Sequence, residues 1–475
     1  MTNQGGTASA PLVLGWTNGR AFCVHSPEVS KEASVLSQQR ILTSELAQHV
    51  GHRVVLQGWL HKLRQLGAVN FLVLRDRAGI AQAVLGPDEL AALQSIAVES
   101  ILAVEGKVIA AAAAPGGYEL HDVVIQIINP VTEAPPVAIN KKRVNAALPT
   151  ILSSAVVSYR HPYHRAIFRL GGGVMHGFRR KLHELAFIEI QTPKLVGSAT
   201  ESGANVYSVD HFGQTAYLAQ SPQFYKQIMV GVFERVYEVG PVFRAEKHAT
   251  SRHINEYVSL DAEFGFIEDH FSVMEMVTIV IEAILSHLAT CHAEDLALLE
   301  ADMPQAIHSQ DGRYFPWIHF QDARALLAEE FGATDTAGAV DLTPEHERLL
   351  GQWALNAHGS DFLFVVGYPM RKRPFYTHPD PRDPVHSNSF DLLFRGTELI
   401  TGGQRLHRYA DYLQALEQRG YSPTDFTHYL DAFRYGMPPH GGFAIGLERF
   451  VMQLLGLENI RLATLFPRDI NRLTP

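Results

Sequence analysis

Between about residues 39 and 135, apolar and polar positions alternate in short runs, the period-two signature of half-buried strands. RVVLQGWL (53–60), NFLVLRD (70–76), IAQAVL (80–85), ILAVEGKVI (101–109) and YELHDVVIQII (118–128) are bounded by Gly, Pro or polar turns. A helical stretch, PDELAALQSIA, falls between the third and the fourth. Beyond about residue 164 the period changes. FRLGGGVMHGFRRKLHELAF spaces its apolar residues as a helix does, and strands are expected near 216–219, 235–245, 256–266, 388–394 and 397–402. Residues 136–163, mixed and Pro-containing with one basic cluster, read as a hinge, and 290–350 as a helical insertion with little chemistry. Residues 1–38, rich in Gly, Ser, Thr and Ala, read as a poorly ordered extension.

Five strands with one helix after the third is the layout of an OB-fold, a small barrel that binds oligonucleotides; other small barrels share the pattern. The remainder, 164–475, reads as an α+β domain. A chain of 475 residues with 46% hydrophobic and 19% charged residues is ordinary globular material. No run approaches ~18 uninterrupted apolar residues, so no membrane span is expected. The first residues lack the basic start and long apolar core of a secretory signal. Two cysteines, Cys23 and Cys291, are too few for a disulfide framework, which points to a cytoplasmic setting. A net charge of −9 gives no whole-chain sign of nucleic-acid affinity, though a local basic groove is compatible with it.

Four segments carry chemistry. In RVYEVGPVFRAEKHATSRHINEYVSLDAEFGF (235–266), one strand is expected to present Arg244 and Glu246 on one face, followed by a polar loop with Arg252. The returning strand presents Tyr257, Ser259 and Asp261. An arginine for phosphate, a carboxylate for an exocyclic amine and a ring for a base suit a nucleotide, although a solvated hairpin has the same pattern. In FDLLFRGTELITGGQRLHRY (390–409), Arg395-Gly396 fits a two-residue turn pairing Leu393 with Glu398. Asp391 then lies diagonal to Glu398, roughly 7–8 Å away between Cα atoms, a spacing that can hold Mg²⁺ on phosphate oxygens. In QSPQFYKQIMVGVF (220–233), Ser221 is expected as N-cap and Pro222 as first helical residue, with Gln223 and Lys226 on one face. MPPHGGFAIGLERF (437–450) is a glycine-rich strand leading into a helix with Glu448 and Arg449.

Together these segments resemble the class II aminoacyl-tRNA synthetases. FRAE with Arg252 looks like motif 2, AIGLERF (444–450) like motif 3, and FIEIQTPKL (187–195) like the dimer-forming motif 1. Within the class the chain is similar to aspartyl-tRNA synthetases of the archaeal-type branch, over about residues 40–475. The resemblance implies an N-terminal OB-fold anticodon-binding domain (39–135) and a class II catalytic domain (164–475) built on an antiparallel sheet flanked by helices. It implies ATP and Mg²⁺ as cofactors and a homodimer.

Residue roles follow by position. The resemblance gives Arg244 the ATP α-phosphate, Glu246 the adenine amine, Arg252 and Arg449 the outer phosphates and adenine, and Tyr257 a stacked ring on adenine. Gly446 lines the nucleotide, and Asp391 and Glu398 bind Mg²⁺. Lys226 and Arg405 match the cations that hold the aspartate side chain, with Asp261 and His440 nearby and Glu201, Ser221 and Gln223 near the substrate ammonium. The asparaginyl branch lacks the lysine of SPQxYK, so Lys226 argues for aspartate. Ser202 after Glu201, where relatives usually have glycine, and Ala186 before Phe187 are departures.

In the OB-fold, Phe71, Gln82 and Arg64 match anticodon-reading positions. His61 and Pro115 look like the pair found in relatives that charge tRNA-Asp and tRNA-Asn alike, which implies a functional link to a tRNA-dependent amidotransferase. The alternatives are an asparaginyl-tRNA synthetase, a synthetase-like RNA-binding paralogue without activity, and an OB-fold binder fused to an amidotransferase-like enzyme. The joint presence of Arg244, Glu246, Arg449, Asp391 and Glu398 opposes the last two.

Overall fold

The computed structural model describes residues 39–474, apart from 68, 198–204 and 248, together with the backbone of Trp16–Thr17 paired antiparallel with Arg20–Ala21. The remainder of the N-terminal stretch read as an extension lies outside the described residues. The chain divides into two compact units between Pro135 and Pro136.

In the first unit, β1 (Arg53–Leu66), β2 (Val69–Arg75), β3 (Ile80–Leu85), β4 (Ile101–Ala110) and β5 (Tyr118–Asn129) form the barrel, with α1 (Pro87–Leu93) after β3. The sheet runs β1-β2-β3-β5-β4, with the two-residue strand Arg40–Ile41 added parallel to β1, and closes by pairing β4 with β1. Leu72 and Leu74 of β2 point into a core with Leu56, Leu60, Leu102 and Leu120. The alternate residues Phe71, Val73 and Arg75 therefore occupy the opposite face. The first strand runs six residues past its expected end at Leu60, with a bulge between Leu60 and Lys62.

The second unit is built on an eight-stranded sheet. Its order is β9 (Trp317–His319), β10 (Phe362–Val366), β11 (Ser389–Phe394), β12 (Thr397–Gln404), β13 (His440–Gly446), β8 (Glu256–Gly265), β7 (Arg235–Phe243) and β6 (Ile188–Glu189). Pairing is antiparallel except at the two edges, where β9 and β6 run parallel to their neighbours. Helix α2 (Pro162–Glu184) has proline at its first turn and buries Ile167, Leu170, Val174, Phe178 and Leu182 at helical spacing. It packs on α4 (His270–Cys291). By length and composition α4 could cross a membrane, but its Val273, Val277, Ile281, Ile284 and Leu288 lie in the core of this unit.

Two expectations change here. The stretch read as a hinge contains the helices Leu148–Ser153 and Ala155–Ser158, with Ile151, Leu152 and Ala155 buried, and belongs to the second unit. The 290–350 insertion is not purely helical: it supplies β9 to the sheet edge as well as helices, among them α5 (Pro344–His358).

Candidate active site

A cavity of about 400 Å³ opens over the middle of the large sheet. Its floor is β8, whose Tyr257, Ser259 and Asp261 line it at the expected period of two. β7 and β8 pair antiparallel as expected, but β7 ends at Phe243, so Arg244 and Glu246 lie in the following loop rather than on a strand face. The Arg244 amide donates to Asn255 O at 2.8 Å, and its guanidinium carbon lies 5.8 Å from the Tyr257 ring centroid. Arg244, Glu246, Arg252, Gly446 and Arg449 all line the cavity.

At one end sits a buried charge cluster. α3 (Gln223–Phe233) starts one residue later than expected, with Pro222 at the N-cap and Ser221 Oγ accepting from the Gln223 amide at 3.4 Å. Its first turn carries Lys226 inward, 1% exposed. Lys226 Nζ donates to Asp261 Oδ1 at 2.9 Å and lies 3.2 Å from Glu263 Oε2. Arg405, just beyond β12, meets Glu263 Oε1 at 3.0 Å and donates to Gly442 O at 3.1 Å. Burial alone would raise the Glu263 carboxyl, but Arg405, then Lys226 and His440, outweigh it and hold it below the usual range. Gly442 opposite Glu263 has to be glycine, because a Cβ there would sit 2.1 Å from a Glu263 oxygen.

Asp261, expected beside the two cations, does pair with Lys226, and Glu263 is a further carboxylate between them that the sequence reading did not name. Glu263 continues the period-two face of Tyr257, Ser259 and Asp261, so its position was open to the same reasoning. His440 does not line the cavity: it is fully buried, bonded to Gln227 at 3.0 Å and to Pro438 O at 2.9 Å, and burial pushes it down to about 4.

The acidic pair comes from β11 and β12. The Arg395-Gly396 turn forms as expected, with φ of 47° and 70° at its two residues, and Leu393 faces Glu398. A bulge between Leu392 and Leu393 then breaks the diagonal relation drawn from a regular ladder, setting Thr401 opposite Asp391. Glu398 and Thr401 line the cavity, and Thr401 Oγ1 donates to Glu398 at 3.2 Å. Asp391 does not line it; the buried carboxylate is paired with Arg373 at 3.0 Å. Burial raises Asp391, opposed by Arg373. Arg449 donates to the Glu398 carbonyl at 2.8 Å.

Glu347 of α5, in the insertion where little chemistry was expected, accepts from the Glu398 amide at 3.1 Å. Burial, with Glu398 adding, pushes Glu347 up to about 7 against that hydrogen bond, Arg252 and Arg449. Nothing in the local sequence marked it, because the contact joins residues 51 apart. Glu201 lies outside the described residues, as does Ser202.

In the first unit, Phe71 is half-buried and directly opposite the exposed Arg64. Gln82 donates to Glu119 at 2.7 Å, which fixes its carboxamide. His61, expected where the first strand gives way to a loop, instead lies within β1 at the bulge, its Nδ1 3.3 Å from Arg75 Nη1. Pro115 begins a short 3₁₀ turn between β4 and β5.

A cavity lined by Arg244, Arg252 and Arg449, by Glu398 and by the paired cations Lys226 and Arg405, in a chain that also carries an OB barrel, defines a ligase that joins a small acid to a nucleotide. The family models agree: tRNA synthetases class II (D, K and N) matches residues 148–470, and the OB-fold nucleic acid binding domain matches 54–128. The chain belongs to the class II tRNA synthetase family. It is 46% identical to the aspartate–tRNA(Asp/Asn) ligase of Thermus thermophilus, over 92% of this chain and 100% of that one. It is 36% identical to the aspartate–tRNA(Asp) ligase of Thermococcus kodakarensis, over 91% and 99%. Among solved structures it resembles asparaginyl-tRNA synthetase from Pyrococcus horikoshii complexed with asparaginyl-adenylate, with a TM-score of 0.84 and 30% identity over 92% of this chain and 100% of that one.

Proposed function

We propose that this chain activates L-aspartate with ATP and transfers it to the 3′ end of tRNA-Asp and tRNA-Asn. The observation that carries the choice of amino acid is the buried cluster in which Lys226 and Arg405 share Glu263. Two cations held rigid at the cavity end suit a carboxylate side chain. Asp261 and Glu263 already pair with these cations, so an aspartate side chain adds a further charged acceptor at Lys226 and Arg405, whereas an amide offers only a weaker, neutral one. In the reaction the aspartate α-carboxylate attacks the α-phosphorus and pyrophosphate leaves. Arg244 meets the charge that develops there, and Arg252 and Arg449 hold the outer phosphates. The protein's work is positioning and neutralisation. The terminal hydroxyl of the tRNA then attacks the mixed anhydride and AMP leaves.

Asp391 and Glu398 would hold Mg²⁺; Asp391 Oδ1 is buried without a hydrogen-bond partner, as an oxygen kept for a cation would be. When bound, the ion neutralises phosphate charge. Among the described residues no group of three or more His, Cys, Asp or Glu could bind a metal alone, which fits an ion completed by phosphate oxygens. A homodimer is supported by β6 at the sheet edge, with Ile188 45% exposed. Light scattering that finds an active monomer would remove the dimer. The cytoplasm is the expected setting.

Charging of tRNA-Asn rests on His61 and Pro115 and on the Asp/Asn ligase named above. It makes the product on tRNA-Asn a substrate for a separate amidotransferase. Pyrophosphate exchange with aspartate against asparagine, then aminoacylation of tRNA-Asp and tRNA-Asn transcripts, tests both parts. Exchange driven by asparagine would make the chain an asparaginyl enzyme. A preference for tRNA-Asp above ~100-fold, roughly 2.7 kcal/mol, would mean that the third anticodon base is read.

A further inference from the structure

Each acid of the proposed metal pair already faces an arginine. The Arg373 side chain is about nine-tenths buried, its guanidinium carbon lies 4.1 Å from the Tyr368 ring centroid, and Nη2 lies 3.0 Å from Asp391 Oδ2. The backbone on either side is fixed: the Arg373 amide donates to Met370 O at 3.2 Å, and Arg419 donates to the Arg373 carbonyl at 2.5 Å. Arg449 Nη1 lies 3.7 Å from Glu398 Oε1. Arg373, Glu398 and Arg449 line one cavity. A divalent ion arriving alone thus meets Asp391 already paired with Arg373 in a buried contact, and Glu398 with Arg449 3.7 Å away and Glu347 at its amide. It would have to surrender water to displace the arginines, which Mg²⁺ does reluctantly. ATP changes the balance, because its phosphates bring new oxygen ligands and draw Arg449 to themselves.

We propose that Arg373 is a built-in counter-ion for Asp391 that makes binding of a divalent cation conditional on ATP. Arg373 keeps the acidic pair folded and buried without metal, and the ion enters with the nucleotide or after it. The inference rests on the reading of Asp391 and Glu398 as the magnesium pair.

The test is titration of the metal-free, full-length protein with Mn²⁺ in the absence of nucleotide, following free Mn²⁺ by electron paramagnetic resonance. The wild type is expected to bind with Kd above ~1 mM, and Arg373→Gln at least ~10-fold more tightly. Adding Asp391→Asn to Arg373→Gln removes the gain, which locates the new site, and Arg373→Lys, which keeps the charge, stays like wild type. Arg373→Met, able to lie on the Tyr368 ring, gives the same gain if Arg373→Gln does not fold. Tight Mn²⁺ binding by the wild type alone overturns the proposal, and so does a folded Gln or Met variant that binds no more tightly. With ATP and aspartate present, where ATP itself removes the free-ion signal, the readout is the water-proton relaxation of the Mn²⁺–ATP complex, and no change in it on adding wild type counts against the magnesium reading of the pair rather than against Arg373.

Discussion

Arg405 Nε lies 3.0 Å from Glu263 Oε1 in a place where Glu263 has no exposed surface. The other Glu263 oxygen lies 3.2 Å from Lys226, so one carboxylate sets the spacing of both cations. Removing one partner of a buried pair costs about 3–5 kcal/mol, because the charge left behind is uncompensated. Glu263→Gln is therefore expected to lower the unfolding temperature and to raise KM for aspartate at least ~30-fold, about 2 kcal/mol of binding. A wild-type KM in pyrophosphate exchange would show that the pair does not position the substrate cations.

Lys226→Gln removes one of those cations while keeping a polar side chain on the first turn of α3. Aspartate-dependent exchange should fall by ~100-fold or more, and the ratio of aspartate to asparagine activity should fall with it. An unchanged ratio, measured with both amino acids, would take specificity away from Lys226.

Arg244→Ala removes the cation assigned to the α-phosphate. Loss of one such preorganised group costs about 10²–10³ in kcat, so exchange should become close to undetectable while thermal unfolding stays put. Near-normal exchange by the folded variant would sink the assignment.

Phe71 stands on the face of β2 that turns away from the barrel core, opposite Arg64. A base stacked there is worth ~1–3 kcal/mol, so Phe71→Ala should raise KM for tRNA by ~5–150-fold and leave tRNA-independent exchange alone. Equal KM values for the two proteins would return Phe71 to a packing role.

Glu448, at the start of α6 (Leu447–Leu455), accepts from the Val258 amide at 3.1 Å and is pushed by burial from 4.5 up to about 7. The folded chain thus holds this proton more tightly than the unfolded chain does. Stability contributed by protonated Glu448 is present below about pH 4.5 and is lost as pH rises toward 7. Glu448→Gln carries no charge, so its stability relative to wild type should rise between pH 5 and 8, by at most ~3 kcal/mol. Unfolding at the two pH values checks this, and a gap independent of pH would contradict it.

The barrel strands, the β7–β8 hairpin and the Arg395-Gly396 turn could be read from the sequence because each depends on neighbours close along the chain. Alternation sets a strand face, and a two-residue turn fixes register locally. Period two reached Asp261 and would have reached Glu263. The resemblance in motif residues supplied Arg244, Arg405 and Arg449, whose side chains do meet in one cavity. What needed the tertiary structure were relations between distant segments. The bulge opposite Leu392 depends on how β11 and β12 settle together, so the diagonal drawn from a regular ladder failed. Arg373 pairs with Asp391, and Glu347 with the Glu398 amide, only because separate segments pack beside the acidic pair. His440 turned out to be buried behind the site, since period and motif say which face a residue occupies but not what packs over it. The sequence alone determines which charges the chain carries and the local geometry that presents them. Which of them neutralise one another is decided by burial, because only where water is excluded does the choice of partner carry several kcal/mol.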